Sequence, residues 1–263
     1  MIHRVVNGYL VECIKAMRSK SAYVGPVLVV VMAAFAPLMQ PIREDSASAY
    51  AFIAFATPMA LNLLGLLLIL TYCAGLVSSE TSNGTIRMIL VRPLHRHEFL
   101  LAKLLHGMTY AALLTLLVAL ATWAIAALRG KLNGVEYGGE MLYTSTHMIA
   151  MYGLGTLVVL LPQFAAVSYA LMLSTLVRST GAAVGAAIGI WIVLDAIKYP
   201  LHVAPFLFST YLESPWYVFT MNSEGIDASW TPELYYCLAT SLGSIVVFTA
   251  IAIYALRRRN IQA

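Results

Sequence analysis

Six long apolar runs constrain this chain more than any other feature. They lie at about 23–39, 51–77, 104–128, 147–177, 181–199 and 234–256. Runs near ~20 residues are long enough to cross a bilayer as helices. Strand-like alternation over ten residues is absent, which disfavours a membrane barrel. Charged residues make up 11% of the chain, against about 25% in a soluble domain. The expected class is therefore all-α: a polytopic membrane protein with six transmembrane helices, forming one transmembrane domain over 1–263.

Charge gives the expected orientation. With six spans both termini share a side. That side then carries Arg4, Lys15, Arg18, Lys20, Arg87, Arg92, Arg96, Lys103, Arg178, Arg257, Arg258 and Arg259, 12 of the 16 basic residues. Arg43, Arg129, Lys131 and Lys198 fall opposite. Cytoplasmic loops carry the Lys/Arg excess, so both termini are expected in the cytoplasm, with Asn133 and Asp227 outside. The basic residues form no aromatic-interleaved face of the kind that binds nucleic acid. Cys13, Cys73 and Cys237 are scattered and odd in number, giving neither a disulfide framework nor metal spacing.

Residues 1–21 read as an amphipathic helix lying in the interface. Val6, Leu10, Cys13 and Met17 recur at helical spacing, with Arg4, Glu12, Lys15 and Arg18 mostly elsewhere. An Ala-Phe-Ala pattern at 34–36 resembles a signal-peptidase site, but the preceding basic region is long and contains Glu12, so a retained first span is expected. Pro58, Asn62 and Gly65 interrupt the second run, and Pro162 should kink the fourth. Between the fifth and sixth, 200–232 is rich in proline and aromatics, which places it at the outer interface. Gly181, Gly185 and Gly189 form a small-residue ladder that lets helices approach closely. It serves either a moving or dimer-facing fifth helix or static packing within one subunit. Asp195 and Lys198 read as a local pair. No Cys or further His is close to His95 and His97 in sequence, and both fall in a basic loop, so no metal is expected.

The most polar stretch between spans is Glu80 to Lys103, ETSNGTIRMILVRPLHRHEFLLAK, within a loop expected at 78–103. Ser82 to Thr85 offer N-cap residues, Ile86, Ile89 and Leu90 follow at helical spacing, and Pro93 ends the helix. The product is a short helix with an apolar side and a basic side, Arg87 and Arg92, shaped to dock a soluble partner. Glu80, Gly84, Thr85, Arg87, Pro93, Arg96, Glu98 and Lys103 together resemble the loop after the second span of type-2 ABC transporter permeases. His95 stands where that pattern often has Ser or Thr in a capping box with Glu98.

The resemblance implies the transmembrane subunit of an ABC exporter, with residues 1–21 as its elbow helix. The loop would be the coupling element, through Glu80, Gly84, Thr85, Ile86, Arg87, Ile89, Leu90, Arg92, Pro93 and Arg96. No G-x-x-x-x-G-K-[ST] phosphate loop occurs in the chain. The chain is thus not expected to be an enzyme or to hold a cofactor. ATP and Mg would sit in a separate ATPase, two copies of which would dock on two permease subunits, as a homodimer or a heterodimer, in a prokaryotic cytoplasmic membrane. The alternatives are an ATP-independent carrier or scaffold, or an ABC subunit that transmits force without moving a substrate. A carrier is expected to show an internal repeat or paired broken helices, and no convincing repeat is present.

Overall fold

The computed structural model describes residues 2–42, 46–84, 95–137, 139–230 and 233–258. Helix α1 (Ile2–Arg18) is followed after a single residue by α2 (Lys20–Met39). The second span is composite: α3 (Ser46–Met59), a π-helical stretch (Ala60–Gly65) and α4 (Leu66–Ser82). Then come α5 (Arg96–Arg129), strands β1 (Gly134–Tyr137) and β2 (Glu140–Thr144), α6 (Ser145–Leu176) and α7 (Thr180–Ile197). A series of 3₁₀ turns leads to α8 (Tyr217–Ser223) and α9 (Glu233–Arg258). Among the described residues, six helices are long and apolar enough to cross a membrane: α2, α3–α4, α5, α6, α7 and α9. The chain is a multi-pass, predominantly helical membrane protein.

Several expected boundaries move. The loop at 78–103 shrinks, because α4 continues to Ser82 and α5 begins at Arg96. Ser82 and Asn83 do not cap a following helix. Ser82 ends α4, Asn83 is its C-cap, and Gly84 adopts φ +70° with its N–H on Thr81 O at 3.2 Å. A left-handed residue just past a helix end favours glycine, and it terminates the helix. The chain is also not wholly α. The segment after α5 forms an antiparallel hairpin whose tight turn includes Gly139 at φ +87°, a conformation a side chain would strain. Pro162 lies inside an α6 that runs unbroken for 32 residues. The irregular span is the second. Pro58 has no N–H to give to the preceding turn, and the helix passes into π geometry directly after it.

Helix α6 is the hub, packing against α4, α5, α7 and α9. Without a hydrophobic drive between helices in lipid, close packing and interhelical bonds hold such a bundle. A Cβ on Gly107 of α5 would meet Val167 of α6 at 2.7 Å and Cys73 of α4 at 3.1 Å. Three helices therefore cross where only glycine fits. Buried hydroxyls bond across helices: Thr115 Oγ1 donates to Gln163 Oε1 at 2.6 Å, and Thr57 lies 3.1 Å from the Tyr152 hydroxyl.

The two ends of the bundle differ. At one end lie α1, the close of α4, the start of α5 and the close of α9. Arg96 Nη1 donates to Leu256 O at 2.9 Å and Arg257 O at 3.0 Å. At the other end lie the hairpin and 198–230, joined by Tyr143 donating to Asp227 at 3.3 Å. This second segment is more than an interfacial belt. Phe206 and Tyr217 are exposed, but Phe208, Tyr211, Trp216 and Phe219 are buried. Trp216 and Phe219 pack on Tyr152 with ring centroids 5.2 and 5.1 Å away, so the segment plugs the bundle.

Gly155 shows how tight that plug is. A Cβ there would lie 2.6 Å from Pro215 O, whereas at Gly153, two residues earlier, it would meet nothing within 4 Å. Overpacking a close contact costs about 1–3 kcal/mol. Gly155→Ala should therefore lower the thermal unfolding midpoint in detergent, and Gly153→Ala should leave it unchanged or raise it slightly.

Candidate functional site

Four ionisable side chains meet at the α1 end. Lys15 Nζ lies 2.8 Å from Glu12 Oε1 and 2.8 Å from Glu80 Oε1. Lys103 Nζ lies 3.0 Å from Glu12 Oε2 and 3.0 Å from Glu80 Oε1. Charges of opposite sign thus alternate around a closed quartet. It joins α1, the last turns of α4 and the third turn of α5.

Local sequence explains the convergence. Glu12 and Lys15 are three apart, so both leave the same face of α1. Glu80 sits two residues before α4 ends, and Lys103 lies seven residues into α5. The two therefore face one another across the base of the connecting segment. The lysines differ sharply in environment: the Lys103 side chain is 1% exposed and that of Lys15 is 46% exposed. Phe99 covers Lys103, with its ring centroid 5.0 Å from Nζ.

Helix α1 turns a mixed face inward. Glu12 is buried, while Val6, Leu10 and Met17 point outward. Beside the quartet, Cys13 Sγ lies 3.7 Å from His106 Nδ1, and His106 Nε2 lies 2.8 Å from the Tyr72 hydroxyl. Tyr72 stacks on Tyr110 at 4.0 Å. Burial alone would push the Glu12 carboxyl up, but Lys103 and Lys15 outweigh it and hold it below its ordinary value. For Lys15, burial would lower the ammonium, but bonds from Glu12 and Glu80 hold it above its ordinary value.

Among the candidate coupling residues, Thr85, Ile86, Arg87, Ile89, Leu90, Arg92 and Pro93 lie outside the described residues. Glu80 belongs to the quartet, and Gly84 ends α4. Arg96 holds the end of α9, so it faces its own chain. Glu98 closes its side of a capping box, accepting the His95 N–H at 3.0 Å, so α5 is capped with histidine in the usual Ser/Thr place. The His95 and His97 rings stack 5.5 Å apart.

Among the described residues, the glycine ladder packs against nothing in its own chain. A Cβ on Gly181, Gly185 or Gly189 meets no atom within 4 Å. Helix α7 instead buries Ala183 and Ala187, and Tyr169 donates to Ala187 O at 3.1 Å. Static packing within one subunit is thereby set aside. Asp195 and Lys198 pair at 2.6 Å, with Ser209 3.4 Å from Asp195.

Glu12, Lys15 and Lys103 were not singled out as site residues by the sequence. The available signal was chemical: Lys103 is an ionisable residue inside an apolar helix, which marks a site by default.

The match to known families covers nearly the whole chain. Residues 16–262 fit the family model described as Protein of unknown function (DUF2705). The chain belongs to this family. All six DUF2705 spans fall within the matched residues, as do Glu80 and Lys103, whereas Glu12 and Lys15 precede them. No curated protein matches the chain.

The quartet predicts an unequal response to mutation. Removing one partner of a buried pair costs about 3–5 kcal/mol, and an exposed pair contributes at most about 1 kcal/mol. Lys103→Ala should lower the unfolding midpoint far more than Lys15→Ala. The double variant Glu12→Gln/Lys103→Met should lose less than the sum of its single changes, because the buried charge and its partner vanish together.

The pH dependence follows from the two shifts. The Glu12 contribution is fully present above its ordinary 4.5 and is lost as pH falls through the lowered folded value. The Lys15 contribution is fully present below its ordinary 10.5 and is lost as pH rises through the raised folded value. The unfolding midpoint in detergent should therefore show no dependence on these two groups between these limits and should fall outside them.

Proposed function

We propose that this chain is the membrane-spanning subunit of an ATP-binding-cassette exporter, driven by a separate ATPase that docks on residues 80–103. The observation that carries the reading is the Glu80–Lys103 pair. Both residues belong to the motif that resembles the type-2 permease loop, and they are bonded across the base of that loop. A load applied to the loop would therefore be delivered to α4 and α5 together.

On this reading α1 is the elbow helix, lying in the interface with its apolar residues toward lipid. The α1 end faces the cytoplasm, where the excess of lysine and arginine belongs. ATP and Mg are bound by the ATPase, two copies of which act on two permease subunits in a prokaryotic inner membrane. The Gly181–Gly185–Gly189 face of α7 would meet the second permease subunit, since among the described residues nothing lies within 4 Å of a Cβ built there.

The docking helix supplies the test. Burying an apolar side chain such as Ile86, Ile89 or Leu90 stabilises by ~1.5–3 kcal/mol, and a cleft on the ATPase would bury all three. Arg87 and Arg92 at the rim would set orientation and on-rate more than affinity. Ile89→Asp should leave the permease inserted and folded while the ATPase no longer co-purifies from membranes. Arg87→Ala should weaken co-purification less. If Ile89→Asp retains the ATPase as well as wild type, or wild type retains none, the reading fails.

A further inference from the structure

A cavity of about 1030 Å³ lies above the quartet, enclosed by α1, α2, α4, α5 and α7. Ligand pockets for small molecules span about 300–1,000 Å³, so the space is large enough for a whole ligand. Its lining is mixed: Glu12, Lys15, Glu80 and Lys103 contribute charge, and Val24, Leu68, Leu76 and Val184 contribute apolar surface. Val11 and Val24 on its lining are exposed, as are Asn7, Lys15 and Ser21, and α2 carries this edge into the membrane-spanning part of the fold. The opening is thus amphipathic, with apolar and polar side chains together.

We propose that this cavity binds a zwitterionic amphiphile taken from the membrane. Its alkyl chain would lie along the Val24–Val184 wall and its head over the quartet. The charge pattern selects the head. Two carboxylates and two ammonium groups sum to zero and alternate at 2.8–3.0 Å. A head with one charge meets as much repulsion as attraction there. A head carrying a phosphate and an amine places each charge beside its opposite. Lys15 is the accessible member and the natural contact for the phosphate. The site lies within one chain and stands whether or not an ATPase drives it.

Gly75 gives a clean way to fill the space. A Cβ there meets only Thr180 Cγ2, at 3.9 Å, so Gly75→Leu occupies the cavity without displacing a helix or touching a charge. Val184→Phe fills it from the opposite wall should Gly75→Leu fail to insert. The full chain would be placed in nanodiscs of an anionic phosphatidylglycerol, so that the host lipid is not itself the ligand. It would then be irradiated with an alkyl phosphocholine bearing a diazirine on its chain.

Adducts are expected on peptides covering residues 11–25 and 68–80. Labelling should fall at least tenfold in either filled variant. It should fall at least fivefold when the same chain carries a sulfate or a trimethylammonium head. Excess glycerophosphocholine, the head without a chain, should not compete. Equal labelling in the filled variants would overturn the proposal, as would equal labelling by the three heads or competition by the chainless head. Absence of labelling in wild type, as when a second copy of this chain closes the mouth, would overturn it too.

Discussion

Lys103 is a full positive charge held almost entirely out of solvent near the end of an apolar helix. Such a charge is tolerated only when counter-charges surround it. Here the counter-charges come from two other segments, Glu12 of α1 and Glu80 of α4. The requirement to neutralise one ammonium therefore decides where α1 docks and how the second and third spans meet. Lys15 completes the arrangement by giving both carboxylates a second cation. Helix α1, which is not among the six helices long and apolar enough to cross a membrane, is fixed to the bundle by this quartet.

Elsewhere the bundle rests on proximity. In lipid the apolar side chains of neighbouring helices gain little by meeting one another, so close approach and buried hydrogen bonds decide the packing. Gly107 and Gly155 permit backbone approaches that a single methyl group would prevent. Thr57, Thr115 and Gln163 find partners on facing helices. The plug formed by 204–223 follows the same logic, since its turns carry aromatic rings into the gap beside α6. One end of the molecule is closed by aromatic packing, and the other is organised by charge around an open cavity.

Much of the fold was legible from pattern alone. Each of the six apolar runs lies in a spanning helix, although the third helix starts at Arg96 rather than near 104, because a length of apolar chain long enough to cross a bilayer has few other stable forms. The break in the second span was marked by Pro58, which removes a backbone donor wherever it stands. The Asp195–Lys198 pair was visible because three-residue spacing brings side chains together on any helix. The motif from Glu80 to Lys103 was visible as well, but its element boundaries were not. Ser82 and Asn83 can cap a helix start or close a helix end, and only the left-handed Gly84 beyond them decided for the end.

The sequence by itself determined the class of the protein, the number of apolar spans and the uneven distribution of charge between their ends. These follow from local composition and from the bilayer as solvent. The tertiary structure alone decided that Glu12, Lys15, Glu80 and Lys103 form one site, because they lie up to 91 residues apart and no local rule links α1 to α5. It also decided that the glycine ladder on α7 faces away from its own chain while Ala183 and Ala187 face in. Both helix faces are small and apolar in sequence. Which one is covered depends on where the neighbouring helices stand, and that is fixed by contacts between segments far apart in the chain.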